Sequence, residues 1–179
     1  DLGFNLDASN TTSTGSSKLN VVVLPNVLTP GASYVFTFSA VYQGRETQQA
    51  MTVVMNRAPF GGSIELTYDP PAVALTTEVD INAVQWVDDD EADLPLRYAF
   101  AFRQFGEPLT SELPLGKTSM SKSMVWLPSE GNWTISCQIF DALDASASTE
   151  TVISIGPVVL DLAKSTDILA QIASKQDEG

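Results

Sequence analysis

The sequence contains no histidine, and its single cysteine, Cys137, has no partner for a disulfide bond within the chain. The absence of histidine excludes Ser-His and Cys-His nucleophilic systems and every metal site that needs an imidazole. No apolar run approaches the roughly 18 residues that a membrane-spanning helix requires, so we expect no direct membrane insertion by this segment. Basic residues are scarce, and the net charge of −13 argues against nucleic acid and anionic membranes as partners.

The negative charge is concentrated in the middle of the chain. Residues 1–57 carry as many acids as bases, whereas residues 58–157 carry 15 acids and 4 bases. Hydrophobic residues make up 44% of the chain, which is enough to bury a core. The composition therefore predicts a folded protein in which the acidic block 58–157 is a unit of its own.

Apolar and polar residues alternate along several stretches, as half-buried antiparallel strands require. The clearest runs are 34–42, 63–68, 96–102 and 132–140. Pro and Gly clusters separate them, and further strands are predicted near 79–86, 121–127 and 149–155. Many short strands with turns between them favour an all-β sandwich over any α/β arrangement.

An internal repeat with an offset of 99 residues relates the two ends of the strand pattern. It places Tyr34 on Trp133, Phe36 on Ile135 and Phe38 on Cys137. Because about 100 residues is the size of one immunoglobulin-like sandwich, the chain reads as tandem immunoglobulin-like (fibronectin type III/PKD-like) β-sandwiches. Residues 1–57 are then the C-terminal strands of an incomplete first sandwich, and residues 58–157 form a complete one. Tyr34 is predicted to be the residue of a tyrosine corner.

Residues 158–179 have approximately helical apolar spacing and predict a short helical tail that links to a following module.

These stretches also resemble a known family. The strings LPNVLTPGASYVF (24–36), NRAPFGG (56–62), ALTT (74–77), QWVD (85–88) and LPLRYAF (94–100) are similar to the receptor-for-egg-jelly (REJ) module of polycystin-like surface proteins. The resemblance implies fibronectin type III-like and related sandwiches, without enzymatic activity, in a protein at the cell surface. Relatives often carry a cysteine after the Gly-Gly pair, where this sequence has Ser63.

The expected function is therefore that of a non-catalytic extracellular structural or adhesion segment, a spacer and protein-protein contact surface in a larger surface, ciliary or filament protein. Its expected partners are other modules of the same chain or neighbouring subunits, with glycans as further candidates. The alternative is a carbohydrate-binding accessory module of a polysaccharide-degrading enzyme, which exposed aromatic residues along one sheet face would favour. An enzyme is disfavoured by the residue inventory, because no acid is expected to be buried.

Two triplets match the acceptor sequence for N-glycosylation, at Asn10 and Asn132. Asn10 lies in a loop rich in Ser, Thr and Asn. Asn132 precedes Trp133, and because strand residues alternate in direction, an inward Trp133 implies an outward Asn132. Both asparagines are therefore candidate glycosylation sites, and the competing interpretation is an unmodified polar surface.

A dense group of acids, Asp88, Asp89, Asp90, Glu91 and Asp93, is a candidate Ca²⁺ site, because Ca²⁺ takes six to eight oxygen ligands. The spacing does not match an EF-hand, and the competing interpretation is a solvated loop between strands. No other cofactor is expected. Cys137, Trp86 and Trp126 are interpreted as core residues.

Overall fold

The computed structural model describes residues 5–158, and within them the protein is all-β. Antiparallel strands form three separate sheets, as the alternating pattern predicts. The strands are β1 (Ser33–Tyr42), β2 (Arg45–Val54), β3 (Ser63–Thr67), β4 (Glu78–Val84), β5 (Arg97–Gln104), β6 (Leu113–Thr118), β7 (Lys122–Trp126), β8 (Gly131–Phe140) and β9 (Ser146–Ile155). Two short 3-10 turns span Glu91–Asp93 and Leu109–Ser111. The predicted helical tail lies outside the described residues, apart from position 158.

Strands β1 and β2 form an isolated hairpin, paired from Ser33 opposite Val54 to Tyr42 opposite Arg45. Gln43 and Gly44 join the strands, with φ of 50° and 74°. Positive φ at both central positions is the geometry of the two-residue turns that match the twist of a hairpin. The sequence Gln-Gly thus fixes the register that puts Phe36 and Met51 on one face.

The remaining strands form a three-stranded sheet in the order β3-β4-β7 and a four-stranded sheet in the order β6-β5-β8-β9. One core contains buried side chains from both sheets. It includes Val79 and Ile81 from β4, Phe100 from β5, and alternate residues of β8: Trp133, Ile135, Cys137 and Ile139. The inward positions of β5 and β8 are those that the alternation predicts, so hydrophobic burial selects the register of these strands.

Strand β6 has no clear alternation in the sequence, because Pro114 and Gly116 interrupt it. Among residues 5–158 it is an edge strand that pairs only with β5, and the register shifts between Phe100 and Ala101 at a bulge. Pro and Gly are tolerated in strands at edges and bulges, where a ladder hydrogen bond is not required. The strand therefore forms despite its turn-like composition.

At the start of each of the two repeat-related strands, β1 and β8, an aromatic side chain is hydrogen-bonded to the backbone of the preceding loop. The hydroxyl of Tyr34 accepts the N–H of Thr29 at 2.8 Å, and this bond lowers the pKa of Tyr34. The indole Nε1 of Trp133 donates to the carbonyl of Ser129 at 2.9 Å. Two aromatic residues that are 99 positions apart in the sequence thus lie at corresponding places, each tied to backbone four or five residues upstream.

Candidate functional site

The acids predicted as a calcium site lie in the loop between β4 and β5 and have different environments. The Oδ1 of Asp90 accepts the N–H of Ala92 at 2.9 Å and so caps the 3-10 turn. The Oδ1 of Asp88 accepts the N–H of Asp90 at 3.2 Å, while its Oδ2 is buried and has no hydrogen-bond partner in the part of the chain that the structure describes. Glu91 is exposed. The loop is therefore not one uniformly solvated run.

Asp93 is buried, although it closes a run of acids that would ordinarily be solvated. Its exposed fraction is 6%, and its backbone carbonyl accepts the N–H of Ala142 at 2.8 Å. Burial raises the pKa of the Asp93 carboxyl, and the charges of Asp90, Asp141 and Asp88 raise it further. The expectation that no acid is buried is therefore wrong.

Asp141, in the turn between β8 and β9, is a second buried acid, with an exposed fraction of 0%. Its Oδ1 accepts the N–H of Ala145 at 2.9 Å, and its Oδ2 accepts Nδ2 of Asn56 at 2.6 Å. Its backbone carbonyl accepts Nη2 of Arg97 at 2.6 Å. Both carboxylate oxygens are occupied, so Asp141 is a structural group that joins this turn to the segment after β2.

The segment after β2 is attached to the second unit at a further point. Phe60 and Val87 exchange backbone hydrogen bonds of 3.0 and 3.1 Å. The guanidinium of Arg57 lies 4.2 Å from the centroid of the Phe60 ring, and its Nη1 lies 3.8 Å from Oδ2 of Asp89. We call the contacts of residues 55–60 with the β4–β5 loop and the β8–β9 turn the joint.

A cavity of about 240 Å³ lies at the joint, lined by Gly31, Val54, Met55, Asn56, Arg57, Asp89, Asp90, Asp93 and Leu143. Three of the five predicted acids line it, and Asp88 and Glu91 do not. Within residues 5–158, no group of three or more Asp, Glu, His or Cys side chains is placed so that it could hold a metal ion. The sequence did not indicate Asn56 or Asp141, because 85 positions separate them.

Both candidate glycosylation sites lie on the surface. Asn10 is exposed in a turn, and Thr12, the hydroxyl residue of its triplet, is buried and donates its hydroxyl to the carbonyl of Leu6 at 2.6 Å. Asn132 is exposed on β8, and Trp133 points into the core. The structure thus leaves both asparagine side chains accessible, and their occupancy stays a prediction.

Apolar side chains are exposed on the face of the β1–β2 hairpin that contains Phe36, Phe38, Met51 and Val53. We call this the hairpin face. Phe38 is 55% exposed and Met51 62%, whereas Cys137, which the repeat places on Phe38, is 0% exposed. Residues 6–28 cover part of the face and leave a groove of about 960 Å³.

The remaining candidates differ in their environment. Cys137 is a core thiol as predicted, and burial raises its pKa from 9.0 to about 12. Trp86 packs partly buried against the core. Trp126 is 48% exposed, so its interpretation as a core residue is wrong. Glu78 of β4 lies directly opposite Trp126, and Asp80 of β4 and Met124 of β7 form the next pair on the same face. This face of the described structure therefore has no row of aromatic rings.

Comparisons with known proteins agree on one relationship. The REJ domain family matches residues 3–178 of this chain. Human polycystin-1 is 33% identical over 120 residues, which cover 66% of this chain and 3% of polycystin-1. The chain thus spans a very small part of that relative's length. Within residues 5–158, no helix has the length and hydropathy needed to cross a membrane.

Proposed function

Because this chain belongs to the REJ domain family, we propose that it is a non-catalytic extracellular segment of a larger surface protein, in which it acts as a spacer and a protein-protein contact surface. The similarity to a small part of polycystin-1, a much longer protein, supports a place in a larger protein, and we extend to this chain the surface location of polycystin-like proteins. REJ domains are not a known catalytic family, which supports a structural role. A ciliary location belongs to the same proposal.

We infer that residues 58–157 form a fibronectin type III-like sandwich. In chain order, the first, second and fifth strands of this unit form one sheet, and the fourth, third, sixth and seventh form the other. This is the distribution of strands in immunoglobulin-like sandwiches that carry an extra edge strand beside the third. The core shared by the two sheets and the hydrogen bond from the Trp133 indole to the carbonyl of Ser129 support the same assignment.

Residues 1–57 would then supply the last hairpin of a neighbouring sandwich. In the second unit, the residues of β8 that correspond to the hairpin face pack against the three-stranded sheet. The hairpin face has no such sheet over it among residues 5–158. We propose that strands from adjacent sequence of the longer protein cover it, and the exposure of Phe38 and Met51 is the observation that carries this proposal.

A photo-crosslinking phenylalanine analogue at position 38 of the longer, surface-displayed protein tests this assignment. We expect crosslinks to peptides of the same polypeptide outside the present 179 residues, identified by mass spectrometry. The same analogue at Gln48, which points to the opposite face of the hairpin, is the matched control. Equal yields at the two positions, or crosslinks at position 38 only to residues 6–28, would contradict the proposal.

The extracellular location has a separate test. The intact mass of the protein from its native source should fall on enzymatic removal of N-glycans, and the variants Asn10→Gln and Asn132→Gln assign the loss to each site. An unchanged mass would remove this support for passage through the secretory route. The accessory-module alternative gains no support, because Trp126 has acids and Met124 as its neighbours.

A further inference from the structure

Strand β1 has the composition of an interior strand, although it lies at the edge of its sheet. Its residues, SYVFTFSAVY, include no charged residue and no proline. Among residues 5–158, each of the other edge strands carries at least one charged residue: Glu46 in β2, Glu65 in β3, Lys117 in β6, Lys122 in β7 and Glu150 in β9. Because charges and prolines on an edge prevent further strands from pairing with it, β1 lacks a protection that the other edges have.

The backbone groups of β1 that point away from β2 form what we call the free edge. The two-residue turn of the hairpin makes Tyr42 and Arg45 a hydrogen-bonded pair, and such pairs recur at every second residue. The N–H of Met55 donates to the carbonyl of Ala32 at 2.9 Å, in agreement with this phase. The N–H and C=O groups of the free edge therefore belong to Val35, Thr37, Ser39 and Val41. Among residues 5–158 no strand pairs with them.

The strand that corresponds to β1 in the second unit is β8. The repeat places Phe38 on Cys137, and the hydrogen bonds of Tyr34 and Trp133 to upstream backbone lie at corresponding places. Like β1, β8 has no charged residue and no proline. It is an interior strand, with β9 on one side and β5 on the other. Because β2 follows β1 as β9 follows β8, the place beside the free edge corresponds to that of β5.

We propose that the free edge of β1 pairs with an antiparallel strand from adjacent sequence of the longer protein, a pairing that rests on the proposed function of the hairpin face. This strand takes the place that β5 has beside β8. In the second unit, Phe100 of β5 lies directly opposite Cys137. Because the repeat puts the larger Phe38 at the position of Cys137, a partner strand of matching volume has a small residue opposite Phe38.

Hydrogen exchange of single backbone amides in the longer, surface-displayed protein tests the pairing. The amides of Val35, Thr37, Ser39 and Val41 should exchange at least about tenfold more slowly than those of Gln48 and Ala50. The last two are the matched control, because they face away from β1 on β2, whose counterpart β9 is an edge strand. Equal exchange rates at the two edges would overturn the proposal.

A photo-crosslinking diazirine amino acid at position 37 identifies the partner. Thr37 is exposed and lies on the face of the hairpin opposite Phe38, so a short crosslinker there reaches the strands on either side of β1. We expect crosslinks to adjacent sequence of the same polypeptide, in addition to Ala50 on β2. Crosslinks to Ala50 alone, or to a second copy of the chain, would overturn the proposal.

Failure of the strand pairing is distinguishable from failure of the proposed function. If position 38 crosslinks to adjacent sequence while the amides of the free edge exchange as fast as those of β2, that sequence covers the hairpin face without joining the sheet. The strand pairing is then overturned, whereas the proposed function stands. If position 38 crosslinks only to residues 6–28 and the free edge exchanges rapidly, both are overturned.

Discussion

Substitution of Asp141 by alanine should strongly destabilise the unit 58–157. The carboxylate is fully buried and accepts hydrogen bonds from the N–H of Ala145 and from Nδ2 of Asn56. Hydrogen bonds to charged groups contribute about 1.5–3 kcal/mol each, and the two donors would be left unpaired. We therefore expect a loss of about 3–5 kcal/mol in the free energy of unfolding. For a unit of this size the Tm would fall by about 10–30 °C.

Asp144→Ala is the matched control, since Asp144 lies in the same turn, pairs with Arg97 at 2.8 Å and has a side chain that is 71% exposed. An exposed ion pair contributes about 0–1 kcal/mol, and alanine at the positive φ of 68° of this position adds a backbone cost of about 1–2 kcal/mol, so Asp144→Ala should still cost less than Asp141→Ala. Asp141→Asn should be intermediate, at about 1–2 kcal/mol, because the amide of Asn56 can rotate and offer its oxygen to the new amide. Urea unfolding followed by tryptophan fluorescence measures all three variants. If Asp141→Ala costs no more than Asp144→Ala, Asp141 does not hold the turn and the joint together.

Three further outcomes are expected. Gly62→Ala should destabilise the protein by about 1–3 kcal/mol in urea unfolding, because a Cβ there would overlap the indole ring of Trp86, and an unchanged midpoint would show that the ring moves aside. Trp133→Phe should lower the free energy of unfolding by about 1–3 kcal/mol in the same assay, since it removes both the hydrogen bond to Ser129 and core volume. A decrease below about 0.5 kcal/mol would show that the bond to Ser129 does not stabilise the start of β8. Cys137 should resist alkylation in the native protein at pH 8 and react only after unfolding, and rapid labelling of the native protein would contradict its burial. Because burial raises its pKa from 9.0 to about 12, the protonated thiol contributes stability that is complete below pH 9.0 and is lost as the pH rises towards about 12. Urea unfolding midpoints measured at increasing pH should fall over this range.

Most of the fold follows from alternation in the sequence. The inward residues of β5 and β8 were predicted because their apolar positions recur at every second residue and turn residues bound each run. The interpretation of Trp126 was wrong because Val125, Trp126 and Leu127 are three consecutive apolar residues. The sequence alone does not show which of them point into the core. Trp126 points outward because Val125 and Leu127 point into the core.

The candidate site was predictable only in part. The run of acids located one wall of the cavity, since Asp89, Asp90 and Asp93 all belong to it. The other wall, Asn56, is far away in the sequence, and its contact with Asp141 depends on how the β8–β9 turn meets the segment after β2. Tertiary contacts of this kind have no local signal, because neither periodicity nor turn composition encodes them.

The positions of the joint and of the last strand also determine how mechanical load would pass through the protein. The chain enters the second unit beside Asp141, at the end of β8, and leaves it at Ile155, which pairs with Gly131 at the start of β8. The ten residues of β8 separate these points by roughly 30 Å. Tension between the two points would act along the strands, and Gly156, paired in parallel with Val73, would resist it in shear. A pull in this direction loads several hydrogen bonds at once, whereas peeling a hairpin breaks them one at a time.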